Sequence, residues 1–178
     1  MIAKSLDASL LFSIIDLTSQ IRLRGDLIYT FAGLTTQQYV ILLHLARDPN
    51  IPMVRESESG VGMYASELAD SLKVSRPGVT NLLKALIQKG LVEQVEDETD
   101  RRKKLLLLTE QGSRLVLGME PIRQEANAAF LSQFTEAEKR QFMEYIERCS
   151  AYANDQLADP AALREMYQES LASSGVSR

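Results

Sequence analysis

One cysteine and one histidine in 178 residues leave little room for redox or metal chemistry. Cys149 has no second thiol to pair with inside the chain, and His44 alone cannot anchor a His/Cys zinc site. Long apolar runs are missing too. The densest, Leu10 to Ile15, is broken by Ser13 and closed by Asp16, whereas a membrane span needs ~20 apolar residues. The opening residues (Met1, Ile2, Ala3, Lys4, Ser5) hold one basic side chain and no small-residue cleavage site, so no secretory leader is expected. There is no Gly-rich phosphate loop, no nucleophile elbow and no metal-ligand cluster, and His44 and Cys149 fall in different predicted helices. An enzyme is therefore the poorest reading. No cofactor is expected, and a cytoplasmic protein without disulfide, metal or membrane contact is the default.

What is present is ordinary globular material: 45% hydrophobic and 25% charged residues, enough for one domain with long flanking helices. The net charge is −4, but it is unevenly spread. The last third is acidic. The middle gathers Arg101, Arg102, Lys103 and Lys104, with Lys73, Arg76, Lys84 and Lys89 just upstream. An acidic protein with a locally basic middle can bind an anionic polymer through that face without coating it indiscriminately. On charge alone, a solvated turn is the better reading of the cluster.

Periodicity organises the chain into helices around one hairpin. Over residues 5–31, Leu6, Leu10, Ile14, Leu17, Ile21 and Ile28 keep one apolar stripe, and Leu11, Ile15 and Leu27 add apolar character outside it. Such a helix wants burial on more than one side; Gly33 stops it. Thr35 with Gln38 predicts a capping box, opening a helix with Tyr39, Leu42, Leu43 and Ala46 inward. Residues 48–62 carry two prolines, two glycines and alternating Glu and Ser, a long loop able to shape a pocket or touch DNA. A short helix is expected at 65–72, a turn at Lys73 and Val74, and then a helix capped by Ser75 with Pro77 in its first turn. Val79, Leu82, Leu83 and Leu86 form its buried face. Pro77, Asn81, Lys84 and Gln88 point the other way, with Thr80 on the flank. Leu91–Glu96 and Lys103–Leu108 read as strands joined by a polar turn. Thr109 caps a long helix with Pro121 inside it. Thr135 and Glu138 open another, whose stripe (Phe142, Ile146, Cys149 and Tyr152 or Ala153) makes Cys149 a small buried hydrophobe. A short helix near 160–171 precedes a frayed tail.

Two short helices joined by a tight turn and followed by a basic-tipped hairpin describe a winged helix-turn-helix. The order is informative because the chemistry demands it. A recognition helix needs one face on its own core and the other available to base edges in the major groove. Its N-terminal amides favour a phosphate, and an arginine at a hairpin tip can enter a narrow minor groove.

The residues that carry this pattern resemble the MarR family of bacterial transcription regulators. They are Ala65-Ser66-Glu67-Leu68-Ala69 with Leu72, Val74-Ser75-Arg76-Pro77-Gly78-Val79-Thr80-Asn81-Leu82-Leu83, Lys89-Gly90-Leu91-Val92, Asp100-Arg101-Arg102-Lys103-Lys104 and Leu108-Thr109-Glu110-Gln111-Gly112. The resemblance implies a mainly α fold with a small β-hairpin wing: a dimerisation helix at 1–34, a winged helix-turn-helix at 35–109 with its wing at 97–102, dimerisation helices at 110–171 and a tail at 172–178. It implies a homodimer reading double-stranded DNA. Ser75, Arg76, Pro77, Thr80 and Asn81 would lie at the major groove, Lys84 nearer the backbone, and Lys103 on the wing. Asp100 would brace the wing, and Arg101 or Arg102 would enter the minor groove. Gly78 and Asn81 depart from the family's usual residues, and asparagine there suits adenine. The loop at 48–62 is longer than the family's usual connection.

The expected function is a dimeric regulator, with repression as its expected sign, occupying a palindromic operator and answering a small aromatic or anionic effector. The rival is a winged-helix scaffold that dimerises and binds protein. It rests on Glu93, Glu96, Asp97 and Glu98, which partly cancel the basic wing.

Overall fold

Helix boundaries in the computed structural model fall where side chains can take over unpaired backbone groups. It describes residues 4–51, 62–97, 100, 103–156 and 164–170. Helix α1 (Leu6–Tyr29) starts at Ser5, whose Oγ accepts from the Ala8 N–H. A single 3-10 turn, Thr30–Ala32, follows, and Gly33 at φ +66° ends it in the left-handed conformation that glycine adopts without strain. Helix α2 (Thr36–Leu45) has the predicted capping box: Thr35 Oγ1 accepts from the Gln38 N–H, and Gln38 Oε1 accepts from the Thr35 N–H. Strand β1 (Met63–Tyr64) runs directly into α3 (Ala65–Leu72). Helix α4 (Arg76–Gln88) precedes strands β2 (Val92–Glu96) and β3 (Lys104–Leu108), and then come α5 (Glu110–Phe130) and α6 (Glu136–Gln156). Residues 164–170 are helical, as expected for the segment at 160–171; the tail at 172–178 lies outside the described residues, as do 52–61 of the long loop.

The sheet is antiparallel in the order β1-β3-β2, with Met63 opposite Leu106 and Val92 opposite Leu108. The two-residue β1 is a strand that the sequence reading did not anticipate. It covers the free edge of β3 and ties the start of α3 to the hairpin.

Two compact units divide at Pro121. In the first, the core gathers Tyr39, Ile41, Leu42, Leu68, Val79, Leu86, Val92 and Leu106, all essentially without solvent contact. Tyr29 stacks on Tyr39 at 4.1 Å between ring centroids, fixing the end of α1 on α2. Helix α2 is buried from Ile41 to Leu45, wider than the stripe expected, while Ala46, expected inward, is exposed at the C-cap. His44 is structural: it is buried, and its Nδ1 lies 2.8 Å from the Val40 carbonyl.

Helix α1 behaves differently. Only Tyr29 is buried along its 24 residues, and Leu6, Leu10, Leu11, Phe12, Ile15, Leu23 and Leu27 are all exposed. In the second unit, Glu138 and Thr135 reciprocally cap α6, and Phe134 stacks on Phe142. Cys149 is exposed, which corrects the expectation of a buried thiol. Phe142, Ile146 and Cys149 do share a stripe, but helical periodicity shows which face is apolar and not whether the same chain covers it.

Candidate nucleic-acid interface

The turn between α3 and α4 is made by Lys73 at φ +54° and by the Val74 N–H donating to the Ala69 carbonyl at 3.2 Å. Ser75 then caps α4, its Oγ accepting from the Gly78 N–H at 3.3 Å, with Pro77 in the first turn where its missing N–H costs nothing. Val79, Leu83 and Leu86 are buried, and Leu82 is half-buried. On the opposite side Pro77, Asn81, Lys84 and Gln88 are exposed, as are Thr80 on the flank and Ser75 and Arg76 at the helix start. The helix therefore divides as predicted. Thr80 Oγ1 donates to the Arg76 carbonyl at 2.9 Å, so it can only accept from an outside donor. Among the described residues Arg76 and Lys84 form no ion pair, leaving two uncompensated cations on this face.

The hairpin after α4 is held at both ends. At its base, Gly90 takes φ +67° to stop the helix, and the Thr109 N–H donates to the Leu91 carbonyl at 3.1 Å. The Thr109 hydroxyl donates to the Gly90 carbonyl at 2.6 Å and accepts from the Gly112 N–H at 3.0 Å, so one residue closes the hairpin and caps α5. At its tip, the Asp97 N–H donates to the Lys103 carbonyl and the Lys103 N–H to the Asp100 carbonyl. An Asp97 carboxylate oxygen accepts from the Asp100 N–H at 2.8 Å, and the Tyr64 hydroxyl donates to its other oxygen. Lys103 is exposed, with its ammonium 5.4 Å from the centre of the Tyr64 ring. Arg101 and Arg102, the expected minor-groove residues, lie outside the described residues.

Sequence reading gave the wing to Asp100 and missed Tyr64 and Asp97. Asp100 does sit in the turn and contributes backbone groups to it. Tyr64 gave no signal because its partner is 33 positions away.

A second feature lies at the start of α2. The Asp26 carboxylate accepts from the Thr36 N–H at 2.6 Å, and the Thr36 hydroxyl donates to the Arg22 carbonyl. This backbone hydrogen bond above all holds the Asp26 carboxyl below its ordinary value. Beside it, Arg22, Asp26, Thr35, Gln38 and Leu82 border a cleft of about 270 Å³.

Residues 32–103, which contain α2, α3, α4 and the wing, match the model of the MarR family. The chain carries a MarR-family winged-helix domain. Among curated relatives of this domain, the transcriptional activatory protein BadR of Rhodopseudomonas palustris is 39% identical over 93 residues, 51% of this chain and 48% of BadR. The chain thus matches about half the length of that relative. The homoprotocatechuate degradative operon repressor of Escherichia coli is 28% identical over 127 residues, 71% of this chain and 78% of the repressor. Among solved structures, MepR of S. aureus in complex with DNA superposes with a TM-score of 0.67 at 25% identity, over 81% of this chain and 96% of MepR. The fold over residues 32–103 is therefore a winged helix-turn-helix.

Proposed function

We propose that this chain is a dimeric, sequence-specific DNA-binding transcriptional regulator of the cytoplasm. The observation that carries the reading is the division of α4. One face is locked into the core by Val79, Leu83 and Leu86, and the other offers Arg76, Thr80, Asn81 and Lys84 to an outside partner. In this reading Ser75, Arg76, Pro77, Thr80 and Asn81 meet base edges and nearby phosphates in the major groove, and Lys84 meets the backbone. Arg101 or Arg102 enters the adjacent minor groove, with Lys103 beside them on the wing and Asp100 bracing the turn. Two such helices must stand ~34–36 Å apart to read successive major grooves, which calls for a homodimer. The exposed leucines and isoleucines of α1 support one, for a monomer would leave them in water.

Relatives are named for both activation and repression. We favour a repressor that excludes polymerase by occupying a palindrome over a promoter. A small aromatic or anionic effector would act by its differential affinity for two spacings of the recognition helices. The cleft beside Arg22 and Leu82 is a suitable size for part of such a molecule. The quoted relatives are named as regulators, and no catalytic role is assigned to this chain.

Selection from a random duplex library at two salt concentrations tests the proposal. Enrichment of a palindrome with half-sites about one helical turn apart is the expected result. Weak, strongly salt-dependent retention with no enriched sequence favours the protein-binding scaffold instead.

A further inference from the structure

The first turn of α3 breaks an ordinary rule. Helix N-caps favour Ser, Thr, Asp and Asn because a short side chain can accept from the first-turn amides. Here the N-cap is Tyr64, which makes no side-chain cap. Glu67 supplies a compensating contact, its carboxylate accepting from the Tyr64 N–H at 2.7 Å. The tyrosine is directed elsewhere. Strand β1 places it opposite Leu105, with Val95 as Leu105's other neighbour, so its side chain can reach the end of β2. There its hydroxyl donates to the Asp97 carboxylate. Its ring also lies under the Lys103 ammonium at 5.4 Å. Asp97 and Lys103 are the two residues at which the wing loop leaves and rejoins the sheet, and they are hydrogen-bonded to each other through the Asp97 N–H and the Lys103 carbonyl. One side chain at the start of the helix-turn-helix thus grips both ends of the wing.

We propose that Tyr64 is a positioning residue for DNA binding: its hydroxyl on Asp97 and its ring under Lys103 preset these two ends of the wing loop against the helix-turn-helix. The inference rests on the reading of 101 and 102 as DNA-contacting arginines. A wing held in place before binding loses less conformational entropy on the duplex. Tyr64 touches no base in this account. It acts only through the wing, and that is the property to test.

The experiment is a double-mutant cycle on the full-length dimer with its selected operator. Tyr64→Phe keeps the ring for Lys103 and removes only the hydroxyl; Arg101→Ala with Arg102→Ala removes the wing contact. Tyr64→Phe should weaken operator binding about tenfold in the parent, on the order of one hydrogen bond to a charged acceptor. It should change affinity less than twofold once the arginines are gone. Asp97→Ala is the second arm, since an asparagine amide oxygen could still accept the Tyr64 hydroxyl. Losing a negative charge beside DNA should tighten binding by electrostatics alone, whereas loss of the latch should weaken it. Equal losses from Tyr64→Phe in both backgrounds, or no loss in either, would overturn the latch. So would tighter binding by Asp97→Ala. If the double alanine itself leaves affinity unchanged, the wing reading fails, and the latch goes with it.

Discussion

Gly112 offers the sharpest test of how the wing is mounted. It sits in the first turn of α5, buried against the base of the hairpin, and a Cβ built on it would lie 2.1 Å from the Leu91 carbonyl oxygen and 3.3 Å from Leu108 Cδ2. The oxygen is not free to retreat, because it accepts the Thr109 N–H at 3.1 Å. Gly112→Ala must therefore shift backbone against backbone. Overpacking of this kind costs roughly 1–3 kcal/mol, and straining the Thr109–Leu91 bond adds up to ~1 kcal/mol. Replacing glycine in a helix returns at most ~1 kcal/mol. The expected net loss is about 2 kcal/mol, or roughly 5–10 °C in Tm for a unit of this size. Gly118 is the internal control. It lies in the same helix with nothing within 4 Å of its built Cβ, so Gly118→Ala should be neutral or stabilising by up to ~1 kcal/mol. Urea titrations at one fixed protein concentration measure both, since self-association would make apparent stability depend on concentration. Gly112→Ala unfolding at or above the parent's midpoint would refute the reasoning.

Asp26→Ala should lower stability at pH 7 and flatten its acid dependence. The folded carboxyl titrates below its ordinary 3.8, so its contribution is fully present above that value and lost as pH falls through the folded value. The gap between the urea midpoints of parent and variant should hold from pH 7 down to about 4 and close only as pH falls below 3.8; a gap that stays constant there too would mean that the carboxylate's charge is irrelevant. Lys84→Ala should weaken binding to all duplexes alike and reduce the salt slope by about 1, whereas Asn81→Ala should relax preference at one base position by ~1–3 kcal/mol, both read from operator titrations. Leu10→Asp combined with Ile14→Asp, at positions 59% and 45% exposed in the single chain, should give a monomer by light scattering. A dimer surviving both charges would place the interface elsewhere.

Much of the fold was legible because local chemistry announces it. Thr35 with Gln38, Ser75 before Pro77, and Thr135 with Glu138 open helices wherever they occur, and Gly33 and Gly90 close them by adopting a backbone that other residues resist. The exposed face of α4 follows from a 3.6-residue repeat and nothing else. What escaped is non-local. Strand β1 is two residues long and exists because β3 has an edge to pair with. The role of Tyr64 depends on Asp97, far along the chain, and residue type argued against a cap there. Helix α2 is buried over more than its stripe because it lies in the middle of the first unit, a position that only the assembled fold defines.

Cys149 and α1 teach the same point from the other side. In each case the sequence identified an apolar face correctly, and the single chain leaves that face in water. A 24-residue helix with one buried side chain gains little from its own chain, and isolated helices are marginal. Its end is nevertheless fixed: Tyr29 stacks on Tyr39, and Asp26 and the Arg22 carbonyl hold Thr36 at the start of α2. Any surface that covers the exposed stripe of α1 is therefore coupled through this junction to α2, and from α2 to the α4 helix packed beside it. In a dimer, the same apolar contacts that stabilise α1 would set where each recognition helix stands. Assembly and operator spacing would then be one physical variable.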